Sequence, residues 1–166
     1  MKFRLINTAL FSAMLLTLLG NVSLFAHCEI PCGIYHDNLR IELIREHIQT
    51  IEKSMNQIVE LSKADAMNYN QLVRWINNKE EHANKIQEIV TQYFLTQRIK
   101  LIDPVDETAH KDYLNKLSLL HEMLVYAMKC KQTTDLANTQ KLSELTDRFY
   151  SAYFGEEEKE HLQEHK

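Results

Sequence analysis

Glycine and proline are scarce in this 166-residue chain, which contains three glycines and two prolines. A sandwich or barrel with many tight turns needs more of both residues, and so does a glycine-rich nucleotide-binding fold. The chain also lacks an excess of basic residues, because its 19 Lys and Arg residues face 23 Asp and Glu residues. This balance excludes a protein that coats nucleic acid. What remains is one mildly acidic, mostly helical domain.

The N-terminus has the pattern of a secretory signal peptide. Lys2 and Arg4 give a positive start, an apolar stretch follows over 9–19, and cleavage is predicted after Ala26. The apolar stretch is short for a transmembrane span, so an uncleaved membrane anchor is only the alternative interpretation. Cleavage would export a chain of 140 residues with a net charge of −6, to the periplasm or outside the cell and free of the membrane.

Apolar residues recur every three or four positions in four segments, which is the pattern of amphipathic helices. The predicted buried positions are, segment by segment, Ile41, Ile44, Ile48, Ile51, Met55 and Ile58; Leu72, Ile76, Ala83, Ile86, Val90 and Phe94; Leu114, Leu117, Leu120, Leu124 and Met128; and Leu142, Leu145, Phe149 and Tyr153. The connections between segments are short, so successive helices should be antiparallel. The predicted fold is therefore all-α, an up-down antiparallel four-helix bundle.

Capping and breaking residues predict where the helices end. The predicted limits are Asp37 to Ser62 for the first helix, an end near Gln97 for the second, an end near Lys131 for the third, and Gly155 as the stop of the fourth. Asp37 or Asn38 would act as the N-cap of the first helix. The Asp103-Pro104 pair breaks the chain after the second helix.

Cleavage after Ala26 would leave His27 and Cys28 as a chelating N-terminus. The amine of His27, the amide nitrogen of Cys28 and its sulfur can close two five-membered rings around one metal ion. Cys32 can add a second thiolate, and the His27 imidazole stays free to approach along the axis. A planar set of two nitrogens and two sulfurs suits Ni(II), with Cu(II) as the competitor, whereas tetrahedral zinc would not use the amide.

The segment from His27 to Tyr35 resembles the N-terminal "nickel hook" of nickel superoxide dismutases, His-Cys-x-x-Pro-Cys-Gly-x-Tyr. Arg40-Ile41-Glu42 and Lys79-Glu80-Glu81 are similar to segments of that family's first and second helices. The resemblance implies an oxidoreductase that converts two superoxide ions and two protons to dioxygen and hydrogen peroxide. It also implies one nickel ion per chain, cycling between Ni(II) and Ni(III), and a homohexamer of four-helix bundles.

The resemblance also implies a role for each matching residue. Nickel would be ligated by His27, Cys28 and Cys32; Tyr35 would be the catalytic residue at the open axial face; Pro31 would shape the hook; and Glu42 would orient the His27 imidazole. The family places a second tyrosine, from the second helix, near the metal. Aligning the Tyr-Phe pair selects Tyr93 for this position, whereas counting without gaps from Lys79 selects Arg98.

The predicted organisation is a signal peptide over 1–26, a nickel-binding hook over 27–36, the bundle over 37–155 and a charged tail over 156–166. Superoxide is the expected partner molecule, and no nucleic acid is expected. The alternative function is a non-catalytic exported bundle that binds metal or carries a Cys28–Cys32 disulfide. Cys130 is expected to be a small buried hydrophobic residue.

Overall fold

The structure is a computed structural model that describes residues 35–155. It contains four α-helices, α1 (Asp37–Leu61), α2 (Tyr69–Glu88), α3 (Glu107–Gln132) and α4 (Ala137–Phe154), and a π-helical segment (Ile89–Arg98) that continues α2. Both α1 and α3 pack against α2 and α4, so each helix lies beside two neighbours. The predicted all-α four-helix bundle is therefore confirmed. Within residues 35–155, every helix is too short or too polar to cross a membrane.

The predicted apolar stripes of α1 and α4 form the centre of the core. All six predicted positions of α1 are buried, and so are Leu142, Leu145 and Phe149 of α4. Tyr153 lies at the edge of this core, where it packs against Phe149 and Phe94. The two helices therefore provide the surface on which the rest of the bundle packs.

The predicted apolar stripe of α3 is only partly correct: Leu120 is buried as predicted and Leu124 packs against the core, but elsewhere the buried side lies about one position away. Its buried residues are Leu119, Leu120, Met123, Ala127 and Cys130, whereas Leu114 and Met128 are about half exposed. Leucines occur on two neighbouring sides of α3, so their period alone does not decide which side faces inward. In the structure, the side of α3 that carries the small residues Ala127 and Cys130 faces the core. Similarly, Ile76 near the start of α2 is partly exposed, although it was predicted to be buried.

The start of α1 also differs from the prediction. His36 occupies the N-cap position and Asp37 is the first helical residue, so neither Asp37 nor Asn38 is the N-cap. The carboxylate of Asp37 is bound by other side chains, as described below. The end of α4 agrees with the sequence: Gly155 follows the helix with a φ of 77°, a left-handed conformation that glycine adopts without steric cost.

Lys79 of α2 is buried and caps the C-terminal end of α3. Its ammonium donates hydrogen bonds to the backbone carbonyls of Cys130, at 2.7 Å, and of Lys131. The last carbonyls of a helix have no partner within the helix and carry its partial negative charge, so a cation there is favourable. Glu80 lies 3.3 Å from the same ammonium and balances its charge.

We expect Lys79→Met to lower the free energy of unfolding by about 1–3 kcal/mol, because it leaves two carbonyls of α3 without their donor. Lys85→Met is the matched control, since the ammonium of Lys85 pairs with Glu81 at the surface. The control should change stability by less than about 0.5 kcal/mol. Denaturant unfolding followed by far-UV circular dichroism measures both variants. Equal losses in the two would contradict the capping role of Lys79.

Candidate metal centre

The predicted ligands His27, Cys28 and Cys32 lie outside the described residues, as does Pro31. Residues 35–155 contain no group of three or more His, Cys, Asp or Glu side chains that could hold a metal ion. Cys130 is a free, buried thiol, as predicted, and burial raises its pKa to about 11. Because metals bind the thiolate form, Cys130 is a poor ligand at neutral pH. Of the predicted site residues, Tyr35, the last residue of the hook motif, and Glu42 lie within the described range.

Tyr35 lies against two side chains of the π-helical segment. Its ring meets the ring of Tyr93 edge to face, with 6.1 Å between the centroids. The guanidinium of Arg98 lies 4.2 Å from the centroid of the Tyr35 ring, in cation–π contact. Tyr35 remains 38% exposed, whereas Tyr93 is 4% exposed. The hook motif thus ends on a surface made by both residues that the sequence offered for its second helix.

The carboxylate of Asp37 holds this surface together. It accepts hydrogen bonds from the hydroxyl of Tyr93 on one oxygen and from the hydroxyl of Tyr153, at 2.8 Å, on the other. Arg98 donates to the second oxygen through Nη2 at 2.6 Å and Nε at 3.0 Å. The Asp37 side chain is only 14% exposed. This cluster of Asp37, Tyr93, Arg98 and Tyr153, called here the Asp37 cluster, joins the start of α1, the π-helical segment and the end of α4.

The π-helical segment explains how Tyr93 and Arg98 reach the same carboxylate. In an α-helix, residues five apart point in directions that differ by about 140°, since each residue turns by about 100°. In a π-helix, residues five apart are hydrogen-bonded neighbours and share a face. Hydrogen bonds with this spacing run from Ile99 N to Phe94 O and from the side chains of Thr96 and Gln97 to Thr91 O and Gln92 O.

Charges and hydrogen bonds in the Asp37 cluster shift the pKa values of its members. Burial alone would raise the pKa of Asp37, but hydrogen bonds from Arg98 and the two tyrosines, together with the charge of Arg98, lower it overall. Burial and the neighbouring carboxylate raise the pKa of Tyr93 to about 12, and the same causes raise the pKa of Tyr153. At neutral pH, Asp37 is therefore ionised while both tyrosines are protonated donors.

Glu42 occupies a different side of α1 from Asp37. Its carboxylate accepts a hydrogen bond from Arg45 at 2.6 Å, and Arg45 also binds Asp147 of α4 at 2.8 Å. The Glu42 side chain is 51% exposed. Its predicted contact with the His27 imidazole involves a residue outside the described range and stays a prediction.

The sequence alone did not assign three members of the Asp37 cluster to the surroundings of Tyr35. Asp37 was assigned to helix capping, Tyr153 to the core, and Arg98 was only an alternative to Tyr93 in an alignment. The one available signal was the proximity of Asp37 to Tyr35 in the sequence, since a carboxylate two residues from the end of the hook must lie near it.

We expect Asp37→Asn to lower the pKa of Tyr93 from about 12 toward its ordinary value of 10, because the anion that opposes ionisation is removed. Since folding raises this pKa, the corresponding stabilisation is complete below pH 10 and is lost as pH rises through 12. Ultraviolet difference titration of tyrosinate measures the shift, with Tyr93→Phe identifying the signal. Asp65→Asn, in the exposed connection after α1, should leave the titration unchanged. An unchanged titration in Asp37→Asn would contradict the described contact.

Comparison with known proteins agrees with the hook motif and the bundle. Residues 22–157 match the family model of nickel-containing superoxide dismutase, a range that includes the hook motif and all four helices. No curated protein and no solved structure matches the chain significantly. The family match covers most of the sequence and extends far beyond the nine residues of the hook motif. The chain belongs to the nickel-containing superoxide dismutase family.

Proposed function

We propose that this protein disproportionates superoxide at one nickel ion per chain, held by His27, Cys28 and Cys32. Two superoxide ions and two protons give one dioxygen and one hydrogen peroxide. The observation that carries the proposal is the packing of Tyr35, the last residue of the hook motif, against Tyr93 and Arg98. This packing gives the end of the motif a defined position on the bundle, beside the residues the family resemblance selects.

The donor set of the motif fits nickel. Two thiolates, an amine and a deprotonated amide are strong donors that would suit a d⁸ ion such as Ni(II), and the imidazole of His27 would be a further donor. When bound there, nickel supplies one-electron redox chemistry between Ni(II) and Ni(III). Cys130 is buried in the core and does not compete with Cys28 and Cys32 for the metal.

The two tyrosines have different roles in this proposal. The hydroxyl of Tyr93 donates to Asp37, so its proton is directed into the bundle and away from a bound anion. Tyr35 is the more exposed of the two. In this proposal its hydroxyl would donate to superoxide or to peroxide. In this proposal Tyr35 would also limit the access of anions larger than superoxide.

Processing and assembly complete the proposal. Cleavage between Ala26 and His27 would create the chelating amine during export to the periplasm or the extracellular medium. The family resemblance adds a homohexamer, in which neighbouring chains would shield the N-terminal hooks. Pro31 would turn the hook toward the metal, and Glu42 would support the imidazole.

The processing step predicts that active protein begins at His27. Intact mass and N-terminal sequencing of the nickel-containing fraction from the native host measure this directly. Active protein that begins at another residue would contradict the proposal, because the chelating amine would then belong to that residue.

The ligand assignment predicts that Cys28→Ser or Cys32→Ser removes nearly all bound nickel and all dismutase activity. Far-UV circular dichroism should change little, because both residues precede α1, which begins at Asp37. Cys130→Ser is the control, since it changes the same atom inside the bundle, and it should keep its nickel and its activity. Metal analysis on protein of confirmed N-terminus separates the outcomes. Loss of nickel in Cys130→Ser alone would overturn the assignment.

A further inference from the structure

Superoxide is an anion, and the overall charge of the protein does not attract it. The mature chain would carry a net charge of −6, so its long-range field repels a negative substrate. Attraction must come from cations close to the site, where they act over distances shorter than the screening length. A cation fixed beside Tyr35 would provide such an attraction.

Arg98 is the cation in direct contact with the Tyr35 ring. Its side chain is 25% exposed, so the charge is still accessible to solvent. Arg40 lies 5.0 Å from the centroid of the neighbouring Tyr93 ring. The tyrosine pair is thus in contact with two guanidinium groups, while one carboxylate, Asp37, lies beneath it. These groups carry two positive charges and one negative charge, so the net charge in contact with the rings is positive.

The Asp37 cluster also fixes the orientation of Arg98. Two nitrogens of the guanidinium are bound by Asp37, and Nε also lies 3.1 Å from the hydroxyl of Tyr153. A planar guanidinium held in this way presents its face to the aromatic ring, which a flexible ammonium does not do. Arg98 therefore restrains the Tyr35 ring as well as placing a charge beside it.

We propose that Arg98 is a positioning residue that orients Tyr35 and supplies the local positive charge that draws superoxide to it. This inference rests on the proposed function for its substrate. The contact between Arg98 and Tyr35, however, can be tested without any activity.

The first measurement is kcat/KM for superoxide, per bound nickel, as a function of ionic strength. Arg98→Gln should lower kcat/KM by about tenfold at low ionic strength, and the deficit should shrink as salt screens the charge. Arg98→Lys should keep the salt dependence of the wild type. Arg148→Gln is the matched control, because it removes the same charge from an exposed position on α4 that faces Glu144. It should behave nearly as the wild type does.

The second measurement is ¹⁹F NMR of protein containing fluorotyrosine, with the Tyr35 signal identified by Tyr35→Phe. Both Arg98 variants should shift this signal, since both lose the planar contact, whereas Arg148→Gln should not. An unchanged Tyr35 signal in both Arg98 variants would overturn the positioning role. A salt dependence of Arg98→Gln equal to that of Arg148→Gln would overturn the electrostatic role. A wild-type protein that holds nickel without dismuting superoxide would instead refute the proposed function, and the NMR result would still decide the contact.

Discussion

The candidate site depends on the hydrogen bonds and the ion pair that the carboxylate of Asp37 makes. Asp37 is the first residue of α1, and it accepts hydrogen bonds from Tyr93, Arg98 and Tyr153 on two other elements of the bundle. A nearly buried carboxylate is unfavourable unless it is paired and hydrogen-bonded. Here Arg98 provides the opposite charge, and Tyr93, Arg98 and Tyr153 donate the hydrogen bonds. The same contacts place the aromatic and cationic groups around Tyr35. The contacts that stabilise the charge of Asp37 are thus the same contacts that shape the site.

The π-helical segment makes this arrangement possible. Extra residues in a helical turn are unfavourable for hydrogen-bond geometry, and such segments are often found at functional sites. Here the altered turn aligns Tyr93 with Arg98 and still leaves Val90 and Phe94 buried in the core. Phe94 packs edge to face on Phe149 with 5.0 Å between the centroids, directly below the Asp37 cluster. The helix therefore changes its period at the point where one of its faces packs in the core and another carries residues of the candidate site.

The sequence predicted the fold well where one stripe was clearly apolar. The isoleucines of α1 have no competing stripe, and they are all buried, whereas the leucines of α3 cover two sides and misled the prediction. The site was less predictable for a different reason. Tyr93 and Arg98 were alternatives because two alignments of the second helix selected different residues, whereas the π-helical segment brings both to Tyr35. Asp37 resembled an N-cap, since local sequence does not reveal partners that lie 56, 61 and 116 residues away.

The hook motif is local in the sequence, whereas the packing around Tyr35 is not, and this explains why these two kinds of prediction differ. The predicted metal donors His27, Cys28 and Cys32 lie within six residues of the sequence, so their chemistry could be predicted from the sequence alone. The surroundings of Tyr35 come from three distant elements, and they depend on how the bundle packs. Without that packing, the ring of Tyr35 would lose its contacts with Tyr93 and with the guanidinium of Arg98. The bundle therefore determines the orientation of Tyr35 and the charge beside it.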